Sequence, residues 1–165
     1  MLVNVRDILF GPDDDIEHFV IDEIDKAKRH LNVMVFWLTW KPIADAILRA
    51  YKRRVKVKLL LDVRSTEEKM KDVDVDREIH VPSYLIENGL GKEMIRVYNG
   101  ELLHHKIILL DGEKTLLGSC NFFNASITRH EENYMLVEGE NFNSIFMDRF
   151  KNLWNNKSFE YWMEK

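Results

Sequence analysis

Leu103-His104-His105-Lys106-Ile107-Ile108-Leu109-Leu110-Asp111, followed by Gly112 to Leu117 and then Gly118-Ser119-Cys120-Asn121, is the stretch around which this chain is organised. Its core from Lys106 to Asp111 is a short apolar run flanked by charge, the pattern of a buried strand. Side chains on a strand alternate faces, so His104, Lys106, Ile108 and Leu110 share one side and His105, Ile107 and Leu109 the other. A histidine and a lysine two apart at a strand end then project from one surface. Gly112-Glu113 makes a tight return, and Lys114 to Ser119 reads as a second strand paired with the first. That hairpin sets Ser119 and Asn121 near the level of His104 and Lys106. An imidazole, an ammonium, a hydroxyl and an amide at one spot suit a phosphate anion and a nucleophile. Taken singly, each of these residues is more often an incidental feature of a surface hairpin. The joint spacing carries the argument.

That spacing is His, one residue, Lys, four residues, Asp, six residues, Gly-Ser, one residue, Asn, with Glu132-Asn133 downstream. Here the chain resembles the phospholipase D superfamily, whose signature is this arrangement and which carries a Glu-Asn pair on its next strand. The segment before the motif is also similar to that family, in which a strand, a helix and a strand ending in Asp precede it. The family usually has Gly where this chain has Arg54, a departure that touches a turn rather than the site.

At 165 residues the chain is most simply one domain, 1–165, large enough to bury a substantial core. Its 45% hydrophobic and 32% charged residues fit a globular protein. One cysteine, Cys120, excludes an internal disulfide. Residues 1–11 show no secretory signal and no segment is apolar for long enough to cross a bilayer, so a cytoplasmic location without stable membrane insertion is expected. A net charge of −4 gives nucleic acid no global attraction, so a nuclease needs a local basic surface. Lys41, Arg49, Lys52, Arg53, Arg54, Lys56 and Lys58 offer one, with Arg53 and Arg54 as candidate contacts. A solvated helix end leading into a strand explains the same residues equally well.

Gly11-Pro12-Asp13-Asp14-Asp15 opens a helix over about 13–31, with acids at the positive end of its dipole. Asn32 to Thr39 reads as a buried strand, 41–53 as a second helix and Val55 to Asp62 as another strand, a unit that implies a parallel pair. Ser65 to Met70 suits a short helix, Asp72 to Glu78 is acidic and polar, and His80 to Asn88 reads as a helix. Met94 to Tyr98 is a strand, and Asn99-Gly100 a turn into the motif strand. Residues 122–129 form a short helix, Glu132 to Val137 a strand, and Glu140 to Trp154 an amphipathic helix. Strands with helices between them make an α/β layered domain with a mixed sheet. The resemblance narrows this to a phospholipase D-like sheet flanked by helices on both faces, with the variable 63–93 connection shaping the substrate groove.

The resemblance also implies roles. His104 is the nucleophile that attacks phosphorus and becomes a phosphohistidine, while Lys106, Ser119 and Asn121 hold the non-bridging oxygens. Glu132 looks like the carboxylate that accepts a hydrogen bond from the far ring nitrogen of His104. Asp111 and Gly118 belong to the signature as structural positions; Asp111 lies about 23 Å from His104 at ~3.3 Å per residue, too far for direct chemistry. His105 points to the opposite face. No zinc spacing appears, and Asp13-Asp14-Asp15 is better explained as a helix start than as a cation site, so no metal and no cofactor are expected. There is one His-x-Lys in the chain. Single-copy members of the family, small nucleases among them, act as homodimers in which each subunit supplies its histidine. The first expectation is therefore a nonspecific nuclease acting on DNA or RNA as a homodimer. A lipid phosphodiesterase is the second, with Phe36, Trp37, Trp40, Phe122 and Phe123 as an apolar rim, and a nucleic-acid-binding module with a vestigial site the third.

Overall fold

The computed structural model describes residues 3–66 and 77–161. Among these residues eight strands form one mixed sheet: β1 (Asn4–Gly11), β2 (His30–Val35), β3 (Lys56–Asp62), β4 (Ile95–Tyr98), β5 (Lys106–Leu110), β6 (Lys114–Gly118), β7 (Glu132–Glu138) and β8 (Phe159–Tyr161). Five α-helices accompany them: α1 (Ile16–Lys26), α2 (Lys41–Lys52), α3 (Val81–Glu87), α4 (Asn124–Thr128) and α5 (Glu140–Trp154). The sheet order is β1-β7-β6-β5-β2-β3-β4-β8. Strands β2, β3 and β4 run parallel and the other neighbours antiparallel.

Both faces of the sheet are covered. Leu31, Val33 and Val35 of β2 with Ile108 and Leu110 of β5 pack beneath α1 and α2 in the larger core. Met34, Leu60, Ile107 and Leu109 point the other way, against Phe150, Leu153 and Trp154 of α5. The alternation read from the motif strand is thus realised, with odd residues of β5 toward α5 and even ones toward α1 and α2.

Several boundaries differ from the sequence reading, each for a local reason. The first helix runs Ile16–Lys26 rather than 13–31, because Asp15 caps it and Ala27 turns into extended backbone (φ −61°, ψ 137°). The backbone N–H groups of Lys28, Arg29 and His30 then donate to the Asp111 carboxylate instead of to helix carbonyls. Strand β2 ends at Val35, not Thr39. Beyond it the Phe36 N–H bonds the His105 carbonyl (2.8 Å), and Thr39 and Trp40 donate to Phe122 (3.0 Å each). An apolar run reports burial, and here the burial of its second half lies in a loop. Strand β4 enters no hairpin with β5, since β3 and β2 lie between them. Residues 99–105 are a crossing loop rather than the tight turn expected at Asn99-Gly100.

Strands β1 and β8 occupy the two edges, and neither has a sequence signature. β1 is exposed along nearly its whole length, so its residues show no buried–exposed alternation. The expected helix at Ser65–Met70 is a short 3-10 turn over Val63–Thr66 as far as it is described; residues 67–76, including most of the acidic stretch, lie outside the described residues. Among the described residues no helix is long and apolar enough to cross a membrane.

Candidate active site

The hairpin of β5 and β6 turns at Asp111 and Gly112, both in the left-handed region (φ 56° and 83°), as Asp-Gly hairpin turns commonly are. Burial alone would raise the Asp111 carboxyl. The backbone N–H groups of His30, Arg29 and Lys28 outweigh it and hold the group below the usual carboxylate range. Asp111 thereby fastens the hairpin tip to the connection between α1 and β2, at the far end of β5 from Lys106. Register then fixes the other end: Ile107 pairs with Leu117, which sets Lys106 beside Gly118. Gly118 is required by a close backbone approach, since a Cβ there would stand 2.1 Å from the Asn133 carbonyl oxygen.

At that end the signature residues come together. Lys106 is buried, with its Nζ donating to the His104 carbonyl (3.0 Å) and lying 5.4 Å from the centre of the Phe36 ring. The His104 ring is exposed and packs on Phe36 at a centroid distance of 5.0 Å. Among the described residues no group hydrogen-bonds that ring. Burial, and then the nearby Lys106 charge, hold the His104 imidazole below its ordinary value, against an opposing pull from Asp62. Burial likewise lowers Lys106, opposed by the Glu132 carboxylate. His105 faces α5, where burial and then Arg149 lower it.

Glu132, expected to orient His104, has other partners within its own chain. Its carboxylate accepts from the Ser119 hydroxyl and from the Ser126 hydroxyl (2.6 Å), not from His104. Both hydroxyls come from the segment after β6. Glu132, at the start of β7, therefore organises that segment, and Ser126 also receives the Asn121 backbone N–H (3.0 Å). Oδ1 of Asn121 is buried without a hydrogen-bond partner, and its Nδ2 makes no hydrogen bond among the described residues, so the donor half of the amide is uncommitted. Cys120 between them is buried, and burial pushes its thiol up to about 12, which leaves it unreactive.

A clamp that the sequence reading did not single out sits just before His104. Asp62, wholly buried at the end of β3, accepts from the Leu103 backbone N–H (2.8 Å) and from Arg64 Nη1 (2.8 Å). Arg64 reaches on to the carbonyls of Gly100 and Glu101. The only sequence signal is an Asp ending a strand with an Arg two residues on. The Asp62 side chain is buried but that of Arg64 is 37% exposed, so loss of the carboxylate strands the buried Leu103 N–H rather than a buried charge, at a typical cost of about 1 to 3 kcal/mol. Asp62→Ala is accordingly expected to lower unfolding free energy by about 2 kcal/mol in chemical denaturation and to reduce kcat, because the backbone entering His104 loses its anchor. Unchanged stability would show that the clamp holds nothing.

A family model described as a cardiolipin synthase, PLD-like domain matches residues 20–154, a span that contains the whole cluster. The chain belongs to the phospholipase D superfamily. It is similar to a phospholipase D of Rickettsia conorii, 26% identical over 153 residues, which cover 87% of this chain and 66% of that protein. A mitochondrial cardiolipin hydrolase of Chlamydomonas reinhardtii is 24% identical over 135 residues, covering 82% of this chain and 56% of that protein. The chain thus spans somewhat under two thirds of these curated relatives. Among solved structures, the phospholipase D family member Nuc from Salmonella typhimurium shares the fold with a TM-score of 0.79, over 99% of this chain and 100% of that one, at 23% identity.

The usual superfamily glycine before the second strand of the unit corresponds here to Arg54, whose φ is 69°. This is the region glycine adopts freely, so the turn keeps its shape and tolerates an ordinary side chain at a local cost. The basic stretch that the sequence offered as a nucleic-acid contact does not flank the site. Arg53 pairs with Asp25 (3.3 Å) and Arg54 precedes β3, so both lie at the end of the sheet opposite His104. Arg49 pairs with Asp25 (2.7 Å) and Lys41 with Asp45 (2.8 Å). Linear clustering brought together charges that α2 and β3 send to different places. Nearer the site, Arg149 acts on His105 and Arg129 adjoins His130; both arginines are exposed and without an ion pair among the described residues.

Proposed function

We propose that this chain is a metal-independent phosphodiesterase that cleaves nucleic acid through a phosphohistidine intermediate, at a site shared between two copies of the chain. The observation that carries the chemistry is the gathering of His104, Lys106, Ser119, Asn121 and Glu132 at one end of β5, β6 and β7. A ring nitrogen of His104 attacks phosphorus, forming the N–P bond as the bond to the leaving oxygen breaks and a proton passes to that oxygen. Water then attacks phosphorus, gives up a proton and releases the histidine. Lys106 and the Asn121 amide are suited to the non-bridging oxygens, where charge redistributes during each displacement. Glu132 acts within its own chain by holding Ser119 and Ser126.

Two features support the shared site. The His104 ring is open and lacks an orienting hydrogen bond in its own chain. Leu102, 50% exposed, and Phe10, 60% exposed and opposite Asn133, leave apolar surface at the same end of the sheet. Nucleic acid is supported by the rim. Phe36, Trp37 and Phe123 are half-buried rings that touch in series, with exposed Arg129 next to the His130 that packs on Phe123, and aromatic faces with cations are what splayed bases and phosphates engage. Trp40 and Phe122, expected in that rim, are core residues. The same three rings favour a second reading, a lipid phosphodiesterase, in keeping with the names of the curated relatives.

The deciding experiment incubates purified protein in EDTA with single- and double-stranded DNA, RNA, and vesicles containing cardiolipin. Cleavage of a nucleic acid supports the first reading, and release of lipid product alone supports the second. Activity lost in EDTA and restored by a divalent ion would overturn the mechanism.

A pH dependence follows from His104. Attack needs one neutral imidazole and leaving-group protonation needs one that is charged, so turnover is bell-shaped. Burial and Lys106 depress the imidazole and shift both limbs toward acid. The kcat maximum is expected on the acid side of the ordinary imidazole value, with activity falling as rising pH removes the donated proton. A maximum on the alkaline side would contradict it.

A further inference from the structure

The basic residues that do not flank the active site have a destination of their own. Arg54, Lys56 and Lys58 line a groove of about 1000 Å³ between the starts of β2 and β3 and the second half of α5, with Arg29 and Lys151 also on its wall. Among the described residues Arg54, Lys56 and Lys58 have no ion-pair partner. The one acid among the described residues of the wall, Asp111, is already occupied by three backbone N–H groups. Much of the remaining lining is apolar, from Met94, Met147, Phe150 and Trp154. A cationic rim above an apolar floor is a surface that water alone satisfies poorly on one side.

Asn32 gives the groove its strongest sign of a ligand. It is a polar residue in the middle of a buried strand, 5% exposed, and it lines the groove. By the alternation of β2 it faces α5 with Met34, directly across from Lys58. Its side-chain amide has no hydrogen-bond partner among the described residues. Its amide is not sealed from solvent, so beside Lys58 it is open to an acceptor that arrives from outside.

We propose that this groove binds a single-chain anionic amphiphile, with its phosphate or carboxylate head at Asn32, Lys56 and Lys58 and its apolar tail along the half-buried Met94 and Met147. Lys58 Nζ lies 4.6 Å from the centre of the Trp154 ring, so the cation and the apolar wall meet where head and tail would join. The same contact argues against a nucleic-acid strand. Trp154 is covered by Lys58 and stacked on Phe150 (5.8 Å, 17°), so its ring is not free to receive a base. The volume is at the upper end of the range for small-molecule sites. The groove is separate from the active site, since Lys106 pairs with Val35, three residues or ~10 Å along β2 from Asn32, and faces the other side of the sheet. The proposal therefore stands whatever the substrate at His104 proves to be.

The test is calorimetric titration of the whole chain with oleoyl-lysophosphatidate and with oleate, each below its micelle concentration. Inorganic phosphate, oleoyl-lysophosphatidylcholine and a short oligothymidylate are titrated in parallel. The two anionic lipids are expected to bind, and Lys56→Ala/Lys58→Ala, altering exposed side chains only, to weaken them about tenfold or more. Asn32→Leu should do the same; if it fails to fold, the lysine pair decides alone. Phosphate and the choline lipid are each expected to bind at least tenfold more weakly, one lacking the tail and the other the net charge. Binding of the choline lipid or of phosphate as tight as that of lysophosphatidate would overturn the proposal, as would lipid binding unaffected by the lysine substitutions or no lipid binding at all. If those substitutions weaken oligothymidylate instead, the groove belongs to nucleic acid and the proposal fails.

Discussion

His104→Ala is expected to abolish turnover, with kcat falling on the order of 10⁴-fold or more, the scale seen when a nucleophile is removed from a covalent mechanism. His105→Ala should retain activity within about tenfold. The two histidines are adjacent in sequence, identical in chemistry and opposite in placement. His104 is exposed, packed on Phe36 and beside buried Lys106. His105 faces α5, with Arg149 among the charges acting on it, and its carbonyl rather than its ring serves the site by accepting from Phe36. Single-turnover experiments make the contrast sharper. Acid-labile, alkali-stable phosphate should be trapped on wild-type protein and on His105→Ala, and not on His104→Ala. Equal loss in both variants with folding intact would show that the nucleophile is misassigned.

The motif was legible because its argument needs only strand alternation and one hairpin register, and both are local. From Lys106 to Gly118 the side chains fall on the faces that period-two alternation assigns, and Asp111 takes the structural place that its distance from His104 implies. What a sequence window leaves unseen is partners distant along the chain. Resemblance pairs Glu132 with His104; within one chain Ser119 and Ser126 hold its carboxylate, and Ser126 stands in a helix no motif marks. The Asp62–Arg64 clamp joins β3 to residues 41 positions later, a pairing no window of sequence shows. Edge strands β1 and β8 lack the apolar alternation that betrays half-buried strands, because little of β1 is buried. The basic stretch leaves two readings open in the sequence, one surface or a solvated helix end, and the fold divides it: α2 and β3 send its residues to Asp25, Asp45 and the groove beside Asn32.

The second large effect concerns assembly. Each chain carries one His-x-Lys, so it supplies one histidine to a displacement that wants both a nucleophile and a proton donor at the same phosphorus. Neither neighbouring imidazole replaces it: His105 points toward α5 and His130 packs edge-on with Phe123 (5.8 Å). A symmetric dimer places the same patch of two chains together and so brings two copies of His104 to one site. Close like charges oppose double protonation, which leaves one imidazole neutral to attack and the other charged to donate. A monomeric form, obtained by dilution or by a charge placed at exposed Phe10 or Leu102, is therefore expected to be nearly inactive. Mixing gives the quantitative form. When wild-type and His104→Ala chains exchange freely, only wild-type pairs are competent, so activity follows the square of the wild-type fraction. An equal mixture should show about one quarter of full activity, where independent sites would show about one half. Exchange itself is checked separately, by native mass spectrometry of chains of different mass. A straight line with exchange confirmed would assign the leaving-group proton to water or to another residue, and would remove the reason for placing the site between two chains.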